Sequence, residues 1–170
     1  ELMSRSVIDT LASVIEASFQ LTLNEASRVP EENRLRQPAP GKGHPLWLIC
    51  HLAGSSDMVG GHWLLGHDPI LDEPFRKKFA PDFMKGDPIT DQLTDYPDGE
   101  SVVRCYEQSM SRLLGIIRAL DDSQLGQPPL GPMPQRLKDL LPTLESGITR
   151  LSLHDSHHRG QIGLLAQLSR

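Results

Sequence analysis

The chain has few of the residues that stabilise small secreted or zinc-ribbon domains. Only two of its 170 residues are cysteine, Cys50 and Cys105, and they form no Cys-x-x-Cys motif. So distant a pair excludes a disulfide-rich scaffold and a cysteine-based zinc site. Two free thiols are the simplest interpretation, and one disulfide is the alternative. We therefore expect a cytoplasmic protein.

Long apolar runs and an excess of basic residues are also missing. No stretch of 18 or more apolar residues occurs, so the sequence predicts no membrane span. Asp9 and Glu16 interrupt the apolar positions near the start, unlike the continuous core of a signal peptide. The net charge is −5, which leaves no basic surplus to neutralise phosphates. Neither nucleic acid nor an anionic membrane is an expected partner.

What remains is an ordinary globular composition with helical patterning. With 38% hydrophobic residues, the chain is long enough to form one domain over residues 1–170. No strand-like alternation of useful length appears, whereas apolar residues recur at helical intervals. We predict an all-α four-helix bundle with long connections. The four helices are expected at about Ser4–Ser27, from Pro45 to Val59 or Leu65, at Glu100–Leu120, and from the N-cap Thr143 to about Leu168, with a short helix at 135–141.

The end of the second helix and the connection after it are left open by the sequence. Gly60 and Gly61 weaken the helix, which explains the two possible ends. The proline-rich stretch 66–98 is longer than most connections in compact domains. It is either a lid or pocket wall, or a surface loop packed by its phenylalanines, Phe75, Phe79 and Phe83.

Three of the seven histidines lie within five residues, in the segment HDSHHRGQI at 154–162. Each helical residue advances about 100°, which places His154 and His158 inside the apolar stripe of the fourth helix. His157 falls on the flank of that stripe. Two imidazoles four residues apart on one face can share a metal ion. Gln161 lies one turn further on, where it either orients a ligand or packs as an ordinary amide.

A complete site needs a third imidazole from another helix. His51 is the best candidate, since it lies in the apolar stripe of the second helix one turn after Trp47. His62 would lie roughly 16 Å further along the axis, and we expect His44 and His67 to be cap or loop residues.

Other side chains near these positions are not specified by spacing. Glu16, Asp57 and Asp155 could hydrogen-bond a ligand histidine, but Asp155 points away from His154 and is expected to be solvated or paired. Cys50 adjoins His51 about 100° around the helix and is expected to be a packed thiol. A buried histidine is commonly satisfied by a carbonyl or carboxylate, so a metal-free histidine core stays an alternative.

The segments PEENRLRQPAPGKGHPLWLICHLA and HDSHHRGQI together resemble the DinB/YfiT-like metalloproteins of the DinB superfamily. That family has W-x-x-x-H on its second helix and H-x-x-x-H followed by R-G-Q on its fourth. Trp47 with His51 matches the first pattern, and His154 with His158 matches the second. The additional His157 departs from the pattern and offers a different pairing with His154, but His158 lies deeper in the stripe.

The resemblance implies a divalent metal held by His51, His154 and His158, with water completing its coordination. Zn or Ni is the expected metal. Trp47, Gln161 and His157 are expected beside it, lining the substrate pocket or orienting a ligand. Below about pH 6 the histidines should protonate and release the metal.

Characterised relatives include transferases that use a low-molecular-weight thiol and a thiol-dependent isomerase. We therefore expect a thiol-dependent S-transferase acting on a small-molecule substrate. A metal-dependent hydrolase and a non-catalytic metal-binding or structural bundle are the alternatives. The resemblance also implies a homodimer. On a continued second helix Trp63 and Leu64 would point off the His51 face towards solvent, which supports that expectation.

Overall fold

The computed structural model describes residues 6–79 and 87–168, and their regular structure is helical throughout, which confirms the all-α prediction. The described part of the chain contains six α-helices and a π-helical segment, Ser56–Leu64, that continues the second of them. The six are α1 (Val7–Ser27), α2 (Pro45–Ser55), α3 (Glu73–Phe79), α4 (Gly99–Arg118), α5 (Gln135–Leu140) and α6 (Leu144–Gln167). The predicted start of the first helix at Ser4 lies outside the described residues.

Four long helices pack against one another: α1, α2 with its π-helical segment, α4 and α6. α1 contacts α4 and α6, and α2 contacts the same two helices. Ser18 of α1 bonds to Asp155 of α6, and Glu25 lies beside Gly163, so these two helices run in the same direction. α2 and α6 are antiparallel. His51 of α2 meets His154 of α6, whereas Leu64, which follows His51 in the chain, packs on Gly147, which precedes His154.

Two helices, α2 and α6, begin where their sequence predicts. The Thr143 hydroxyl accepts a hydrogen bond from Ser146 N at 3.2 Å and caps α6. His44 caps α2, because its Nδ1 accepts from Trp47 N at 3.1 Å while its Nε2 donates to the Thr90 carbonyl at 3.0 Å. The Nδ1 contact needs a neutral ring, and burial lowers the His44 pKa in keeping with that.

The second helix passes through its two glycines instead of ending at them. Leu65 N donates to the Gly60 carbonyl at 3.1 Å, five residues back, which is the π-helical pattern. A Cβ on Gly60 would lie 2.9 Å from Leu113 Cδ1, and one on Gly61 would lie 2.6 Å from Arg112 Nη1. The glycines therefore allow close packing on α4, which outweighs their low helix propensity.

The prediction that Trp63 and Leu64 face solvent is wrong. Trp63 is 9% exposed and Leu64 is fully buried, where it packs against Gly147 of α6. The physical reason is the wider π-helical turn, which rotates these residues from their α-helical positions towards the core. They supply no argument for a second subunit.

The long connection after the second helix contains a helix that the sequence pattern does not predict. α3 lies within it, and the Phe79 ring is buried with its centroid 4.8 Å from that of Phe75. Phe83 lies outside the described residues. The buried Asp57 carboxylate accepts from Ile70 N and Leu71 N and pairs with Arg112, which fixes the start of the connection.

None of the described helices is long and apolar enough to cross a membrane.

Candidate metal centre

Three imidazoles from two antiparallel helices converge on one point. His51 Nε2 lies 3.1 Å from His154 Nε2, and His158 Nε2 also lies 3.1 Å from His154 Nε2. One nitrogen from each ring falls within 4.8 Å of the others. Two nitrogens bound to one ion at about 2.05 Å are separated by about 2.9 to 3.4 Å for angles between octahedral and tetrahedral. The two spacings of 3.1 Å thus fit nitrogens that share a divalent metal.

His51 is held on both sides by neighbours. Its Nδ1 donates to the Phe79 carbonyl at the end of α3, with 2.7 Å between the two atoms. The Trp47 indole stacks on the ring at 4.9 Å between centroids and 7° between planes. These two contacts leave Nε2 as the lone-pair nitrogen and aim it at the cluster.

His158 is oriented by the residue one turn further along α6. Its Nδ1 donates to Gln161 Oε1 at 2.6 Å, so its Nε2 also presents a lone pair to the other two rings. Gln161 therefore orients a member of the cluster, which is one of the two roles predicted from its position on the helix. A metal-ligating histidine commonly has its second nitrogen tied in this way.

The three neutral rings carry too few N–H groups to hydrogen-bond every nitrogen in the cluster. His51 and His158 each carry their proton on Nδ1, which makes both Nε2 atoms acceptors. A proton on His154 Nε2 serves only one of them, so a neutral cluster leaves at least one lone pair facing another. A cation among the nitrogens removes that conflict. The donor set therefore fits a metal ion better than a hydrogen-bonded histidine core.

The environment keeps these rings neutral, which is the form that binds metal. Burial, with a smaller contribution from nearby His158, lowers the pKa of His51 to about 4. Burial together with His51 and His158 lowers the pKa of His154 to about 3. The pKa of His158 is lowered by burial as well.

His157 does not belong to the cluster. Its ring lies 5.1 Å from that of His158, and the side chain is exposed on the outer face of α6. The structure therefore brings His154 together with His158 and not with His157.

Asp155 is buried and pairs with Arg159 at 3.9 Å, so of the two expectations the solvated carboxylate is wrong and the paired one is confirmed. Asp155 is 4% exposed and accepts hydrogen bonds from Ser18 at 2.6 Å, Thr22 at 2.7 Å and Tyr106 at 2.5 Å. Burial and the nearby carboxylate raise the pKa of the Tyr106 hydroxyl. Asp155 faces α1 and α4, so its charge ties those helices to α6 and does not contact the histidine rings.

The remaining candidates also lie away from the cluster. Glu16 pairs with Arg118 at the surface, and Asp57 pairs with Arg112. Cys50 is fully buried, and its burial raises the pKa of the thiol, which makes it the packed residue that was predicted.

An apolar pocket borders the cluster, and no sequence signal located it. Its volume is about 220 Å³, and His51 and His154 form part of its wall. Leu137 and Leu140 of α5, together with Leu141 after it, form another part of the wall. The short helix at 135–141 was predicted, but its placement beside His51 depends on how the chain folds back.

These features define a class: an all-helical protein in which buried imidazoles from two helices converge beside an apolar pocket. The model of the DinB superfamily matches residues 15–162, and the chain belongs to that superfamily. This confirms the assignment made from the histidine and tryptophan pattern. Comparison with curated proteins gave no match.

Proposed function

We propose that the protein binds one divalent metal ion through the Nε2 atoms of His51, His154 and His158 and catalyses thiol-dependent S-transfer to a small-molecule substrate. The observation that carries the proposal is the convergence of three neutral, lone-pair nitrogens within 4.8 Å beside a pocket. Imidazole ligands suit Zn and Ni, which are the metals we propose.

The residues of the chain supply binding, orientation and exclusion of water. Three neutral ligands leave the ion its full charge and a coordination position for another molecule. When bound, such an ion lowers the pKa of a thiol or a water that shares its coordination. The Phe79 carbonyl and Gln161 hold two of the rings in place, while Trp47 covers the outer face of His51.

The pocket favours transfer to sulfur over hydrolysis. In S-transfer the thiol sulfur forms a bond to an electrophilic carbon, and the leaving group departs with the thiol proton. A pocket lined largely by leucine and valine holds the carbon skeleton and excludes bulk water, which hydrolysis would consume.

Elemental analysis tests the metal site first. We expect about one metal ion per chain in the wild type and in His157→Ala, and none in His154→Ala. His157→Ala is the matched control, since it removes an exposed imidazole from the same helix. Equal metal content in all three proteins would overturn the site.

An activity screen then separates the candidate functions. Wild type and His154→Ala are incubated with a chlorinated dinitrobenzene and glutathione, bacillithiol or mycothiol, and chloride release and thiol loss are measured. Wild-type turnover that requires a thiol supports the transferase. Ester hydrolysis without a thiol supports the hydrolase, and a loaded protein that does neither is a metal-binding bundle.

We also propose a homodimer located in the cytoplasm. Exposed apolar side chains on the adjacent helices α1 and α6 support the dimer, namely Val7, Val14, Leu21, Leu153 and Leu164. Both cysteines are free thiols, which supports a reducing compartment. Light scattering at micromolar concentration should give twice the chain mass of 18.9 kDa, and the chain mass itself would refute the dimer.

A further inference from the structure

The pocket beside the histidine cluster has a definite size and polarity. Its volume of about 220 Å³ holds roughly seven water molecules at about 30 Å³ each, or a ligand of roughly ten non-hydrogen atoms. Most of its surface is apolar, and Val59, Leu141 and Leu151 are among the residues that line it. Such a pocket selects the carbon skeleton of its ligand by shape and burial.

A serine in the pocket wall forms no side-chain hydrogen bond to the described part of the protein. Ser55 is only 6% exposed, and no hydrogen bond joins its side chain to another of the residues described. The neighbouring Ser56 hydroxyl, by contrast, donates to the Leu52 carbonyl. Among the described residues only Ser109 has a sealed side-chain oxygen without a partner, so the Ser55 oxygen is accessible and can hydrogen-bond a polar atom of a ligand in the pocket.

A cation without a counter-ion stands at the pocket's mouth. Arg150 is exposed and lines both the pocket and the open groove next to it. Among residues 6–79 and 87–168, no carboxylate forms an ion pair with it. Arg104, Arg112 and Arg118 each pair with an acidic side chain. A guanidinium left free beside an apolar pocket is suited to a planar carboxylate, which it binds through two parallel hydrogen bonds.

Arg150 and His154 lie one turn apart on α6, about 6 Å along its axis. Both side chains line the pocket, so a ligand of that length reaches from the mouth to the histidine cluster. One cation balances one negative charge, which favours a carboxylate over a doubly charged phosphate.

We propose that the pocket binds a small monocarboxylate with an apolar body, and that Arg150 binds its carboxylate and thereby determines specificity. The Ser55 hydroxyl hydrogen-bonds a polar atom on the body. The opposite end of the ligand lies against His51 and His154. That last placement rests on the proposed function, whereas recognition of the anion by Arg150 does not require the metal.

Calorimetry with two ligands of equal shape tests this inference. Phenylacetate and its neutral amide, phenylacetamide, are titrated into wild type, Arg150→Gln and Arg104→Gln. Arg104→Gln makes the same charge change on α4, outside the pocket. We expect wild type and Arg104→Gln to prefer the acid by about tenfold, and Arg150→Gln to bind both ligands about equally, because it has lost a charge-assisted pair.

Parallel titrations of EDTA-treated protein, with metal content measured on each sample, separate this inference from the metal site. The preference for the acid should persist without metal. If it disappears on chelation and is unaffected by Arg150→Gln, the carboxylate binds the metal and the inference is overturned. It is also overturned if wild type binds neither ligand, or if Arg150→Gln keeps the preference. A protein that never contains metal but shows the Arg150-dependent preference would refute the proposed function and retain this subsite.

Discussion

The affinity of the histidine cluster for a divalent metal should change little between about pH 7.5 and about pH 5.5. Three histidines with the ordinary pKa near 6.5 would each bind a proton over that interval, and displacing them would weaken metal binding about a thousandfold. Here burial lowers the pKa of His51 to about 4 and that of His154 to about 3. Neither ring is protonated at about pH 5.5, so only His158 could contribute, at most about tenfold.

This revises the expectation that the metal leaves below about pH 6. The revision follows from burial, since a desolvated imidazole resists the positive charge that would expel the ion. Release should instead occur as the pH falls towards the folded pKa values of about 4 and about 3.

Competition against a chromophoric zinc chelator of known proton affinity measures the effect, with dissociation constants determined at several pH values. A zinc-binding peptide with three solvent-exposed histidines is the matched control and should show the steep loss. A loss of about a thousandfold in this protein would refute the argument from desolvation. The same lowered pKa values predict how the free energy of unfolding of the metal-free protein depends on pH. It should be highest above about pH 6.5 and decrease below it, because the histidines of the unfolded chain bind protons before those of the folded chain do.

Three further predictions concern stability. Chelation should lower the melting temperature and leave helical circular dichroism nearly unchanged at room temperature, because apolar packing supports the helices; outright unfolding by EDTA would make the ion structural. Gly147→Ala should lower the free energy of unfolding in urea by about 1–3 kcal/mol, because the new methyl overlaps Leu64, whereas Gly160→Ala, with open space around it, should raise it by about 0.5–1 kcal/mol. Equal effects of the two would contradict the packing. Tyr106→Phe should cost about 1–3 kcal/mol by removing a donor from buried Asp155, and a neutral result would show that the hydrogen bond contributes nothing.

Local sequence pattern by itself determined the positions of the long helices and most of the histidine cluster. The helical repeat of apolar residues predicts the long helices, because one buried face per helix is a property of short segments. The Thr143 cap and the one-turn spacing of His154 and His158 are equally local, since both follow from helix geometry alone. His51 was selected because an imidazole inside an apolar stripe must point inward, and the structure does bring it to the other two.

Contacts between distant segments decided the rest. The π-helical turn that buries Trp63 exists because Gly60 and Gly61 approach α4, and no local rule anticipates that approach. The position of Asp155 on its helix predicts a solvated or paired carboxylate. Its burial depends on three hydroxyls from α1 and α4, which are distant in sequence. The pocket, with Arg150 at its mouth and α5 as part of its wall, likewise forms only where the chain folds back. A helical period shows which side of a helix is buried, but which groups meet there depends on packing between segments far apart in sequence.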